Sequence, residues 1–205
     1  MQMRNFPAVV AALAVCALVP AHASAQASAD PTKVQAGSYV VEPNHTRVLF
    51  AVNHMGFTTY YGNFTGVSGS LQLDPAKPDT SQVSVSIPVA SVTTTNAVLD
   101  AELKSPAWLN AAADPTIAFK STKVVVTGAN TADITGDLTL HGVTKPVTLA
   151  AKFNASGPNP MSHKVTVGFD ATAHLTRSDF GVKTYVPVIG DQVDVIISAA
   201  FEKSN

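Results

Sequence analysis

Six histidines are the side chains best equipped for chemistry in this 205-residue chain, and their spacing limits what they can do together. His45 and His54 stand nine residues apart on what reads as one strand, and an odd step sends them to opposite faces. His141 falls at a turn, and His163 and His174 are scattered. No His-x-His pair and no clustered carboxylates accompany them, so no metal is expected. The single cysteine, Cys16, lies in an N-terminal leader. No G-x-S-x-G elbow or glycine-rich phosphate loop is present. The expectation is a protein that is not an enzyme and needs no cofactor. Arg177-Ser178-Asp179 is the remaining polar group of interest. It reads either as an arginine–aspartate pair fixing a turn or as a cation for a ligand head group.

The elements that must position these residues are strands. In Ile134–Phe153 the apolar Ile134, Leu138 and Leu140 alternate with polar neighbours, and Val147, Leu149, Ala151 and Phe153 resume after His141-Gly142. That is an antiparallel hairpin with one oily and one wet face. The same alternation runs through Thr46–His54, Val83–Val89, Ile117–Phe119, Val165–Ala173 and Val193–Phe201. Gly62 and Phe64 open a further strand, with a bulge expected at Gly66 and Gly69 before Leu71 and Leu73. Val124–Val126 either extends the Ile117 strand or begins another. A short helical insertion is expected near 96–112, with Thr95 or Asn96 as its cap, Leu99 and Leu103 one turn apart, and Pro106 limiting its end.

Compartment follows from the first residues. Arg4, the uncharged apolar run Ala8–Val19 and small residues up to Ala27 read as a signal peptide over 1–25, cleaved after about 23–27. The apolar run is too short to span a bilayer, which needs roughly 20 residues, so stable membrane insertion is not expected. Residues 26–36 are small and polar, and read as a flexible lead-in. A net charge of −1 without a basic block argues against a nucleic-acid partner.

About eight alternating strands must hide half their side chains, and a closed barrel or a two-sheet sandwich both achieve that. Small inner-face residues (Gly62, Gly136, Ala171, Ala173, Ala199) leave room and favour a barrel around a ligand. The expected cavity lining is Val48, Phe50 and Val52, then Phe64 and Leu71, Val85 and Ile87, Ile117 and Phe119, Leu138 and Leu140, and Val167 and Phe169. His54, on the same face as Val52, is a candidate for a ligand head group beside Arg177. Its alternative is a buried histidine bonded to backbone.

Several stretches resemble the YceI-like family: Tyr39–Gly56 (YVVEPNHTRVLFAVNHMG), Gly62-Asn63-Phe64, Gly69-Ser70-Leu71 and Ser91-Val92-Thr93-Thr94. Pro115–Ser121, Ile134–Val147 (ITGDLTLHGVTKPV), Arg177–Gly181 and Gly190–Val193 continue the match in order to about Phe201. The resemblance implies an all-β, lipocalin-like extended antiparallel barrel over 37–203 with a deep apolar cavity. It implies a periplasmic protein that binds a polyisoprenoid, prenyl quinone or similar long-chain amphiphile. The rival readings are an envelope-interaction module with a filled barrel and an accessory to a quinone-linked redox system. Homodimerisation stays open. The family tends to place Arg-Asp, His and Arg in its helix, where this chain has Leu99–Lys104 (LDAELK), so its basic-helix contact does not carry over whole: Lys104 could replace part of it, and nothing replaces the first arginine.

Overall fold

The computed structural model describes residues 27–204. Ten strands are present: β1 Gly37–Val41, β2 Arg47–His54, β3 Thr58–Phe64, β4 Ser68–Leu73, β5 Gln82–Pro88, β6 Thr116–Val126, β7 Thr131–Leu140, β8 Val143–Pro158, β9 Val165–Thr176 and β10 Ile189–Lys203. Among the described residues there is one α-helix, α1, Ala97–Leu103. Every strand pairing is antiparallel, and β1 pairs with both β4 and β10. That last pairing closes an eight-stranded barrel in the order β1-β4-β5-β6-β7-β8-β9-β10. Closure removes the unpaired edges that a sandwich of the same strands would leave.

The remaining two strands extend this ring on one side. β10 is long enough to pair with β1 through Phe201–Lys203 and with β2 through Ile189–Ser198. The chain between them kinks where Thr46 inserts its hydroxyl, which accepts a 3.0 Å bond from Ala200 N, and where Glu42 N donates to Ala200 O. β3 pairs with β2, and its outer edge meets Thr93, through Asn63 N to Thr93 O and Thr93 N to Asn63 O, 2.9 Å each, with Thr65 N donating to Ser91 Oγ at 3.1 Å just beyond its end. The barrel wall is therefore a continuous ladder at one end. At the other end, residues 89–115 with α1 fill the interval between β3 and the strands that follow.

Local sequence explains the joints. His141 and Gly142 have φ of 51° and 70°, the two positive values a type I′ turn requires between twisted strands. Asn96 caps α1 by accepting from Val98 N and Leu99 N at 3.1 and 3.3 Å. The helix ends at Leu103, and tight turns carry the chain on through Ala113, so the helical part of the insertion is shorter than 96–112 suggests.

Other expectations are corrected. The strand expected to begin at Gly62 begins at Thr58 and stops at Phe64, because the chain leaves β2 there and joins β1 as the separate strand β4. Gly69 has φ +144°, and a Cβ there would lie 2.1 Å from Ser84 O, so this is a close strand approach that only glycine allows. The bulges fall instead between Ser121 and Lys123, Phe153 and Ala155, and Ile189 and Val193. Val124–Val126 extends β6.

The lead-in over 26–36 is not loose where it is described. Ser28 pairs with Ser156, Asp30 caps a 3-10 turn over Pro31–Lys33, and Val34 is buried in the core. The leader over 1–25 lies outside the described residues.

Candidate functional site: the barrel cavity

Along β10 the inward-pointing Val193, Val195 and Ile197 are only half-buried, while Asp194, Ile196 and Ser198 face solvent. In a packed core the inward set would be fully buried. Here their exposure is to an internal space, a cavity of about 810 Å³ that runs along the barrel. The envelope module's filled barrel is not what the described residues form. The cavity lies within the size range of small-molecule sites, roughly 300–1,000 Å³, and its walls are almost wholly hydrocarbon.

All the residues expected to line a cavity are there except Val167. Val48, Phe50, Val52, Phe64, Leu71, Val85, Ile87, Ile117, Phe119, Leu138, Leu140 and Phe169 all contribute to the wall. Val167 has no accessible surface. It sits opposite Phe201 on β10 and Ser156 on β8, beside the bulge at Phe153–Ala155, where the wall is packed solid. Phe153, Phe169 and Phe201 meet edge to face next to it, with ring centroids 5.6 and 6.2 Å apart.

The inner glycines do not leave room. A Cβ on Gly62 would lie 2.2 Å from the Phe50 ring, and one on Gly136 would lie 2.5 Å from both the Phe119 ring and Lys120 O. Each glycine is the seat of a cross-strand aromatic ring. Space is left by the alanines 171, 173 and 199, all of which line the cavity.

Sequence reading missed two groups of wall residues. Val193, Val195 and Ile197 of the closing strand line it, and the alternation of β10 already carried that signal. Leu99, Leu103, Trp108, Val182, Tyr185 and Val188 cap it at one end. Leu99 and Leu103 present the helical spacing of α1 to it, whereas Trp108, Val182, Tyr185 and Val188 come from irregular segments that no sequence period announces.

The polar residues at this capped end have defined partners. The buried Arg177 guanidinium donates from Nε to Gly190 O at 2.9 Å, from Nη1 to Val182 O at 3.0 Å and from Nη2 to Ile189 O at 3.0 Å. Its carbon lies 5.3 Å from the centre of the Trp108 ring. The Arg177–Asp179 pair expected of the RSD motif does not form; Asp179 faces Lys145 at 3.3 Å instead. Burial pushes the Arg177 pKa down, and the charge of nearby Asp191 opposes that. Trp108 Nε1 donates to Glu102 at 3.1 Å, and Asp100 accepts from Thr94, so the acidic groups of α1 are spent on the cap itself. His54 lines the cavity at the same end, its ring 5.9 Å from that of Tyr60. Among the described residues no group of three or more His, Cys, Asp or Glu is placed to hold a metal ion.

Asp191 braces the cap from outside, accepting from Ser178 Oγ at 2.7 Å and Ser178 N at 2.9 Å. These bonds hold its pKa below the ordinary 3.8, the hydroxyl contributing most. A depressed carboxylate contributes stability above its unfolded pKa and loses it as pH falls through the folded value. Ser178→Ala is therefore expected to lower the melting temperature at pH 7 and to leave a progressively smaller difference from wild type as pH falls below the ordinary 3.8. Thermal denaturation across that range checks this. An equal deficit at all pH values would contradict it.

The cavity and its barrel also place the chain among known proteins. The model of the YceI-like domain matches residues 39–201. A "UPF0312 protein" of Azotobacter vinelandii is 40% identical over 168 residues, covering 81% of this chain and 87% of that protein. BcnA of Burkholderia cenocepacia superposes with a TM-score of 0.71 at 24% identity, over 78% of this chain and 98% of that one. A polyisoprenoid binding domain from Saccharophagus degradans, implicated in plant cell wall breakdown, superposes at 0.61 with 14% identity, over 83% of this chain and 100% of that one. These two solved structures share the fold, and the match to the domain model together with the Azotobacter relative makes this chain a member of the YceI-like family.

Proposed function

We propose that this protein is a non-enzymatic carrier that sequesters the tail of one long-chain amphiphile (a polyisoprenoid, a prenyl quinone or a fatty-acid-like lipid) in its barrel, within the periplasm. The observation that carries this is the apolar cavity of about 810 Å³. The signal-peptide reading of the leader supports the compartment, and the polyisoprenoid binding domain of Saccharophagus degradans supports the ligand class.

The energetics suit a carrier. Each methylene moved out of water contributes about 0.8 kcal/mol. Cargo drawn from a bilayer has already gained that energy, so transfer into the cavity is nearly neutral, and the small remainder allows release. The barrel then acts as a water-soluble shield across an aqueous gap. His54 and the cap surface beside it would receive the head group, because three of the Arg177 donors are committed to main-chain carbonyls.

The test is organic extraction and mass spectrometry of protein purified without detergent from its native envelope. A long-chain lipid in near-stoichiometric amount is expected. Its ultraviolet spectrum distinguishes a quinone from a non-absorbing lipid. Protein that is empty as isolated and takes up no isoprenoid from micelles would end this reading.

A further inference from the structure

The cavity reaches the surface beside its cap. Met55, Tyr185 and Val188 belong to its wall, yet they are 50%, 62% and 57% exposed. Phe57, two residues beyond Met55 in the β2–β3 turn, is 85% exposed. Met55 N donates to Val188 O at 3.2 Å, which ties the two turns into one rim. The stretches 53–58 (NHMGFT) and 184–190 (TYVPVIG) hold no Asp, Glu, Lys or Arg, and the exposed Lys183 opens the second turn, its carbonyl accepting from Val186 N at 3.0 Å. The rim at the other end differs. There, the segments holding Asp30, Lys33, Asp74, Lys77 and Asp79 are charged and rich in proline.

We propose that the Met55–Phe57 and Tyr185–Val188 turns insert into the surface of a lipid bilayer, so that cargo passes between membrane and cavity without crossing water. The proposal rests on the carrier reading. Large apolar side chains with aromatic members, held at two adjoining loop tips, match what enters the headgroup–acyl boundary. Met55, Tyr185 and Val188 are at once exposed and part of the cavity wall, so the apolar lining reaches these tips, which is what a lipid tail leaving a bilayer requires. A second copy of this chain is a poorer occupant. Four side chains on two turns fall short of the roughly 20–30 residues a side of a stable protein interface. With Lys183 at the base of the second turn as the one cation in either, the attraction is chiefly apolar insertion rather than pairing with anionic lipid.

The experiment uses the mature chain and Phe57→Ser, a position outside the cavity wall and exposed enough that the barrel still folds. Sedimentation with phosphatidylcholine vesicles measures partition. A fluorescent isoprenoid alcohol reports transfer from vesicle to protein. Wild type is expected to partition equally at low and high salt. Phe57→Ser should lower partition and transfer rate about tenfold, the lower bound for losing one buried phenylalanine. Loading from detergent micelles should be unchanged. Equal partition of the two proteins, a transfer rate independent of vesicle concentration, loss of partition in high salt, or a stable dimer that covers Phe57 would each overturn the proposal. If neither protein loads from micelles, the carrier reading fails, and the partition result still decides the docking.

Discussion

Ala171→Trp is expected to empty the cavity while leaving the barrel folded. Ala171 lies on β9 between Ala151 of β8 and Ile197 of β10, and its methyl group points into the cavity. An indole there occupies space that no side chain fills in the wild type, so the strain that usually follows overpacking is small. Bound lipid, measured by extraction and mass spectrometry, should fall tenfold or more, with an unchanged far-ultraviolet spectrum. Gly136→Trp is the control with the opposite outcome. Its Cβ would lie 2.5 Å from Lys120 O, a backbone atom that cannot step aside, beside a bulge in β6. That variant should lose the fold as well as the lipid. Wild-type lipid content in folded Ala171→Trp would contradict the placement of cargo in this cavity.

Arg177→Met should be the most destabilising substitution at the cap. It removes the donors that satisfy the carbonyls of Val182, Ile189 and Gly190 and the cation over Trp108. Charged hydrogen bonds and stranded carbonyls of this kind are together worth about 3 kcal/mol or more. For a domain of this size that corresponds to a fall of roughly 10 °C in melting temperature. Arg177→Lys should recover little, because one ammonium cannot span three carbonyls set in different directions. Lipid should also leave faster from both variants, since Val182 and Ile189 belong to the cavity wall. A lysine variant as stable as wild type would show that the charge matters and the fork does not.

The strands were legible in the sequence for a physical reason. A wall with oil on one side and water on the other must alternate with period two, and the inner faces of Val193–Phe201 and of the two arms of the Ile134–Phe153 hairpin do so. The same period says nothing about what lies inside, because a filled and a hollow barrel impose the same pattern. Residue size was a poor guide: Gly62 and Gly136 are the seats of Phe50 and Phe119, and alanines mark the open space. Val167 obeys the inward period yet packs where the wall is solid, a matter of height along the barrel that alternation cannot encode. The cap was the least readable part. Trp108, Val182 and Tyr185 come from aperiodic segments, and Arg177 reaches carbonyls 5 to 13 positions away instead of its neighbour Asp179.

The half-open ring has a bearing on what fits inside. At the level of β3, among the described residues, the two bonds between Asn63 and Thr93 and the one from Thr65 N to Ser91 Oγ bridge the circumference on that side, whereas elsewhere a whole ladder would have to part. Releasing these few bonds costs about 1.5–4.5 kcal/mol. Girth is therefore the soft dimension of this vessel and height the stiff one. Cargo of differing thickness, branched or straight, can be admitted by a local gape, and it is overall length that the fixed stave of each strand is built to gauge.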